Sequence, residues 1–242
     1  DEVKDIKILV ARAARECRLP VVIDSTEAPV IEEALKLYGG RMIINSINFE
    51  DGGKRAHKVA AMAKRYGAAL ICLTIDEVGM AMNADQKVKI AHRLVEFCGK
   101  EYGLKPTDLF IDPLTFTIGS GDASLRTAAV ETMEAIRRIK AEIPGVRTLL
   151  GLSNISFGLK LAGRKVLNSV FLDRCLKAGM DACIINVVHI VPLNQIPEDA
   201  KKVAEALLDN DHSQGDPLEN FINFFEKLSG VVAVEETTSK PP

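Results

Sequence analysis

Six short apolar runs, each with an Asp or Asn at or near its end and each followed by a helical pattern, constrain this chain more than any other feature. The runs are Leu19-Pro20-Val21-Val22-Ile23 into Asp24-Ser25-Thr26, Met42 to Ile47 with Asn45 as its polar residue, and Ala69 to Ile75 into Asp76-Glu77. Then come Leu109-Phe110-Ile111 into Asp112, Val146 to Leu150 into Gly151-Leu152-Ser153-Asn154, and Ala182 to Ile185 into Asn186. None alternates with period two, so the strands they predict are buried on both faces, as in a parallel sheet. Helical spacing is predicted through Ile31, Ala34 and Leu37 and over residues 50–66, 84–102, 122–143 and 165–178, between or after the runs. Residues 3–16 open the chain as a helix, and helices at 198–209 and 216–228 close it. Strand and helix in regular alternation fit two architectures, a (β/α)8 barrel or an open doubly wound sheet. A dinucleotide-type glycine turn is absent. Gly119-Ser120-Gly121 lacks the third glycine and reads as a flexible loop.

The 242 residues match a complete barrel of about 250, yet only six strands precede the helical end. Either the architecture is not a barrel, or two strands lie upstream, and the opening directly on a helix favours the second. A domain is expected over 1–230. Residues 231–242, with Glu235-Glu236-Thr237-Thr238-Ser239-Lys240-Pro241-Pro242, read as a flexible tail or linker. A net charge of -2 argues against nucleic acid and anionic membranes as partners. No apolar run approaches the roughly 20 residues of a membrane span, and Asp1-Glu2-Val3-Lys4 is unlike a signal peptide. The five cysteines are odd in number and form no Cys-x-x-Cys pair, so neither a disulfide framework nor a thiolate metal site is expected. A cytoplasmic setting follows. Two absent strands would leave sheet edges to cover, which makes a homodimer an expectation as well.

Any one Asp or Asn after a strand is accounted for as a cap of the next helix. Six at one rim are harder to explain so, because Ser or Thr would cap as well. Asp24, Asn45, Asp76, Asp112, Asn154 and Asn186 should all converge at the carboxyl ends of the strands, where ligands of α/β proteins sit. Carboxylates and carboxamides with few cations suit a ligand rich in ring N–H donors and acceptors. A carboxylate facing an amidine-like N–H and an exocyclic amine forms a bidentate pair, and a pterin offers that edge. A phosphate would call for Arg, Lys or an amide nest instead. Mg2+ on the carboxylates is the competing reading, weakened by the Asn content and the lack of an Asp-x-Asp pair, and no metal is expected. His57 and His92 read as surface residues on helices, His212 lies in a polar loop, and His189 falls near the rim. No Ser/His/Asp order or nucleophilic Cys environment is evident.

Ile23-Asp24-Ser25-Thr26, Ile44-Asn45-Ser46-Ile47, Asp76-Glu77, Ile111-Asp112-Pro113 and Gly151-Leu152-Ser153-Asn154-Ile155-Ser156-Phe157-Gly158, in this order, resemble the pterin-binding family. The resemblance covers about residues 18–190, and the helix at Asp216-Pro217-Leu218 also looks family-like. Within the family the chain is most similar to the methyltetrahydrofolate-binding domains of cobalamin-dependent methionine synthases and to methyltetrahydrofolate:corrinoid/iron–sulfur protein methyltransferases. Dihydropteroate synthases are more distant. The resemblance implies a (β/α)8 TIM barrel of the pterin-binding type, here apparently lacking its first two strands. It implies a methyltransferase of one-carbon metabolism and methionine biosynthesis. Methyltetrahydrofolate is then the methyl donor, and the acceptor is the Co(I) corrinoid (cobalamin) of a partner protein or domain.

By the same resemblance Asp112 accepts from the pterin ring N–H and 2-amino group, Asn45 bonds the neighbouring ring nitrogens, and Asp24 faces the reduced-ring N–H. Asn154 is placed near N5, with Gly151 and Ser153 lining its loop. Asp76 and Asn186 complete the substrate-binding set. Arg164 follows the Ser-Asn motif with two residues more than the family pattern, so Lys160 is the alternative cation. The methyl on N5 leaves as if from a nitrogen anion, so a hydrogen bond that strengthens as the bond breaks lowers the barrier selectively. A carboxamide can orient and stabilise there but supplies no proton. The proton would come from solvent or a carboxyl network, for which Asp76 or Glu77 is a candidate. A dihydropteroate synthase-like condensing enzyme is the alternative function. The strand ending Asn186-Val187-Val188-His189 lacks the Arg before His that such an enzyme's anion site uses. A non-catalytic folate-binding module is the third reading.

Overall fold

The structure, a computed structural model, describes residues 1–238. In chain order the main elements are α1 (Glu2–Glu16), β1 (Val22–Asp24), α2 (Ala28–Leu37), β2 (Ile43–Ile47), α3 (Lys54–Tyr66) and β3 (Ala69–Leu73). A short hairpin of β4 (Ile75–Asp76) and β5 (Gly79–Met80) precedes α4 (Ala84–Tyr102), β6 (Leu109–Asp112), α5 (Ala128–Glu142) and β7 (Arg147–Gly151). Then follow α6 (Leu161–Lys177), β8 (Ala182–Ile184), α7 (Glu198–Asp209) and α8 (Pro217–Thr238). The sheet order is β1-β2-β3-β6-β7-β8, which is chain order once the hairpin is set aside. The β1–β2, β2–β3, β3–β6 and β6–β7 pairs are parallel. Successive parallel neighbours joined by helices are what fully apolar strands require.

The chain divides into two compact units. The first comprises residues 1–114, 135–150 and 179–182. Ile44, Ile47, Leu70, Ile71, Leu109 and Ile111 are fully buried on its strands, and Ile31, Ala34, Val59, Ala63, Ala91 and Leu94 are the helix faces buried there. Truncating one such large side chain to Ala costs about 2–5 kcal/mol, so this core dictates strand register. α4 starts where the Asn83 side chain accepts from Gln86 N at 3.0 Å and ends at Gly103 in the left-handed region.

The second unit comprises residues 115–134, 151–178 and those described from 183 onward. Here α6, α7 and α8 pack through Leu167, Phe171, Ala204, Leu208 and Phe221. Gly163 permits this closeness, because a Cβ there would meet Phe221 Cε1 at 2.8 Å. Asp216 caps α8 by accepting from Leu218 N at 2.9 Å, Pro217 takes the first helical position, and Arg126 pairs with Asp216 at 3.0 Å. α8 keeps helical backbone through 231–238, part of the stretch that composition suggests as a tail. Residues 239–242 lie outside the described residues.

One predicted strand is divided. The run from Ala69 breaks at Thr74, whose N–H turns to the Asp112 carbonyl at 3.0 Å while its own carbonyl accepts from Ala81 N at 3.0 Å. Ile75 and Asp76 therefore leave the sheet and pair antiparallel with Met80 and Gly79. Apolar content alone does not show where a strand exchanges one partner for another.

Candidate functional site

In the first unit, parallel register sets Asp24 directly beside Asn45. Adjacent strands lie about 4.8 Å apart, so the two residues stand side by side on neighbouring strands. Asn45 aligns in turn with Ile71 of β3, and Asp112 aligns with Leu73 of the same strand. Asp24 and Asp112 thus end their strands, and Asn45, the third residue of β2, lies beside Asp24 and within two residues of Asp112 in register.

Their environments differ. Asp24 is exposed and Asn45 half-buried. Among the described residues neither side chain hydrogen-bonds to protein, which leaves the Asp24 carboxylate and the Asn45 carboxamide available. Asp112 is 7% exposed. Its Oδ1 accepts from Leu114 N at 2.8 Å, and its main-chain carbonyl accepts from Thr74 N at 3.0 Å and Thr74 Oγ1 at 3.2 Å. A carboxylate so oriented and so dry is a stronger, more directional acceptor than one in water.

Asp76 stands apart. It lies in the β4–β5 hairpin, where its Oδ1 accepts from Val78 N at 2.9 Å and shapes the turn. Glu77 beside it receives both arms of Arg93 at 2.6 and 2.7 Å, and that guanidinium holds its carboxyl down at about 2. Glu77 is therefore ionised at neutral pH and is no reservoir for a proton.

In the second unit, Gly151, Ser153 and Asn154 come together in a 3-10 helix, Leu152–Ser156, that follows β7 directly. Asn154 is exposed and forms no side-chain hydrogen bond among the described residues. A Cβ on Gly151 would lie 3.2 Å from Asn154 Nδ2, so glycine leaves that carboxamide its room. Arg164 Nε donates to Ser156 Oγ at 3.2 Å, and Ser156 Oγ donates to the Ser153 carbonyl at 3.1 Å. These two bonds tie the cation to the loop. Lys160 pairs instead with Glu226 of α8 at 2.7 Å, so Arg164 is the cation attached to the Ser-Asn turn. Asn186 caps its own short turn, accepting from Val188 N at 3.2 Å.

Two cations supporting the first unit's strand ends are not evident from residue pattern. Arg55, near the start of α3, donates to the Ser25 carbonyl at 2.8 Å, to the Thr26 carbonyl at 3.0 Å and to the Ser46 carbonyl. It braces the backbone just beyond Asp24 and Asn45. Lys87 of α4 donates to the Pro113 and Leu114 carbonyls at 2.6 and 3.0 Å, just beyond Asp112. Helical cations among charged neighbours look solvated, and only their burial distinguishes these. Among the described residues no group of three or more His, Cys, Asp or Glu is placed to hold a metal ion. No helix among them is long and apolar enough to cross a membrane.

The family model described as pterin binding enzyme matches residues 1–186, and the chain belongs to that family. Its curated relatives include the methionine synthase of Mycobacterium tuberculosis, 44% identical over 240 residues, and that of Mycobacterium leprae, 42% identical over 231. These alignments cover 98% and 94% of this chain but 20% and 19% of the relatives, so the chain spans about a fifth of their length. Similar solved structures include dihydropteroate synthases. That of Yersinia pestis with a pterine-sulfa conjugate has a TM-score of 0.53 at 13% identity, covering 87% of this chain and 76% of that one. That of Thermus thermophilus has a TM-score of 0.52 at 20% identity, covering 82% and 72%. This likeness is one of fold: the strands are those of a pterin-binding (β/α) barrel, and six of them form the sheet among the described residues.

Proposed function

We propose that this chain binds 5-methyltetrahydrofolate and presents its N5-methyl group to the Co(I) corrinoid of a partner protein or domain. The family membership and the methionine synthase relatives support the class. The observation that carries the reading is the contrast among the strand residues. Asp24 and Asn45, direct neighbours in register, have side chains with no hydrogen bond among the described residues, while Asp112 is buried and oriented by Leu114 N. Asp112 takes the ring N–H and 2-amino group, Asn45 the adjacent ring nitrogens, and Asp24 the reduced-ring N–H. Asn154, kept open by Gly151 and on the turn tied to Arg164, is assigned to N5. Its carboxamide orients N5 and strengthens its hydrogen bond as charge changes there, while the N5 proton comes from solvent. The corrinoid, carried by the partner, supplies the nucleophile. A reducing cytoplasm is the setting proposed for this chain.

The test is transfer on rapid mixing of the folate-loaded chain with Co(I) cobalamin, followed by loss of the Co(I) absorbance. Asn154→Ala is expected to slow transfer about a hundredfold while folate affinity changes little. Equal losses in both would reduce Asn154 to a binding contact.

A further inference from the structure

Every other deeply buried position on α4, namely Ala84, Val88, Ile90, Ala91, Leu94 and Cys98, carries an apolar or thiol side chain. Lys87 is the exception, at 0% exposure. An ammonium withdrawn from water is strongly disfavoured unless acceptors replace its hydration. Acceptors here include the carbonyls of Pro113 and Leu114, at 2.6 and 3.0 Å. They are the two residues that follow Asp112.

That segment is unusual in itself. Leu114 has φ +62°, a left-handed conformation that a branched side chain adopts only when its surroundings impose it. In this conformation the Leu114 N–H turns back to Asp112 Oδ1 at 2.8 Å. The bonds run in series: Lys87 Nζ fixes the Leu114 carbonyl, the Leu114 N–H fixes the Asp112 carboxylate, and Thr74 fixes the Asp112 carbonyl from the other side. An apolar residue of equal volume would fill the space under α4 without holding that backbone.

We infer that Lys87 is a positioning residue. Its buried ammonium clamps the Pro113–Leu114 backbone, and through the Leu114 N–H it fixes the direction in which Asp112 presents its carboxylate to a pterin. The inference rests on the pterin reading for its ligand but not for its geometry, and two readouts separate them.

The first readout is hydrogen exchange at the Leu114 amide, which needs no ligand. That amide is protected in the wild-type chain, and Lys87→Met speeds its exchange at least about tenfold with the far-UV spectrum unchanged. The second is a double-mutant cycle with Asp112→Asn, read as affinity for 5-methyltetrahydrofolate. Lys87→Met weakens binding about tenfold, and the double variant binds no more weakly than Asp112→Asn alone. Should Lys87→Met fail to fold, Lys87→Gln, which keeps a donor, gives a smaller loss with the same lack of additivity. An unprotected Leu114 amide in the wild-type chain, unchanged exchange in a folded Lys87 variant, or additive losses would each overturn the clamp. A wild-type chain that binds no methyltetrahydrofolate while Leu114 loses protection in Lys87→Met would overturn the pterin reading and leave the clamp standing.

Discussion

Strands β1 and β2, with Asp24 and Asn45, and the two turns at Asp76 and Asn186 carry the same residue types and use them oppositely. On the strands, the Asp24 and Asn45 side chains have no protein partner among the described residues, and Arg55 braces the backbone just beyond them. At the turns, the Asp76 carboxylate and the Asn186 carboxamide oxygen are occupied by the N–H groups of Val78 and Val188. A polar residue after a strand is therefore no ligand contact by type alone. What sets Asp24 and Asn45 apart is that no backbone N–H among the described residues satisfies their side chains, while Arg55 supports the backbone just beyond them. Asp112 combines both features: its Oδ1 accepts from Leu114 N, as Asp76 Oδ1 does from Val78 N, while the group itself is buried.

This contrast orders the expected effects. Asp112→Asn turns an acceptor into a donor facing a donor in a buried setting, and calorimetry should show folate affinity falling about a hundredfold. Asp24→Ala and Asn45→Ala each remove a freer contact and should cost about tenfold. Asp76→Ala and Asn186→Ala should leave affinity within about twofold, since they remove only turn caps. If Asp76→Ala were as harmful as Asn45→Ala, the division between free and self-satisfied residues would break.

The smallest effect concerns pH and the hairpin. Glu77, held at about 2 by Arg93 rather than at the ordinary 4.5, stabilises the fold above the ordinary carboxylate range. That contribution is lost as pH falls from about 4.5 towards about 2. Both partners are largely solvated, so the loss is slight. Urea melts of wild type and Arg93→Met should differ a little at neutral pH and converge near pH 2.

The strands were legible because a strand buried on both faces leaves an uninterrupted apolar run, and β1, β2, β6 and β7 lie where those runs fall. Asp24 and Asp112 were legible as strand ends for the same reason, whereas β2 runs two residues past Asn45, to Ile47. The exchange of partners at Thr74 was not, because it depends on a carbonyl 38 residues away. Nor was the use of the two cations near Asn154, since Lys160 and Arg164 are both plausible by spacing and only the packing of α8 gives Lys160 to Glu226. Arg55 and Lys87 were hidden more deeply. Their helical neighbours are charged, and the carbonyls they hold lie at least nine positions away in sequence.

The most direct test is a calorimetric titration of this chain with 5-methyltetrahydrofolate, in wild type, Asn45→Ala and Asp76→Ala side by side. Saturable one-to-one binding by wild type, weakened about tenfold in Asn45→Ala and preserved in Asp76→Ala, is the predicted result. No saturable binding by the wild-type chain, or equal weakening in both variants, would contradict the account.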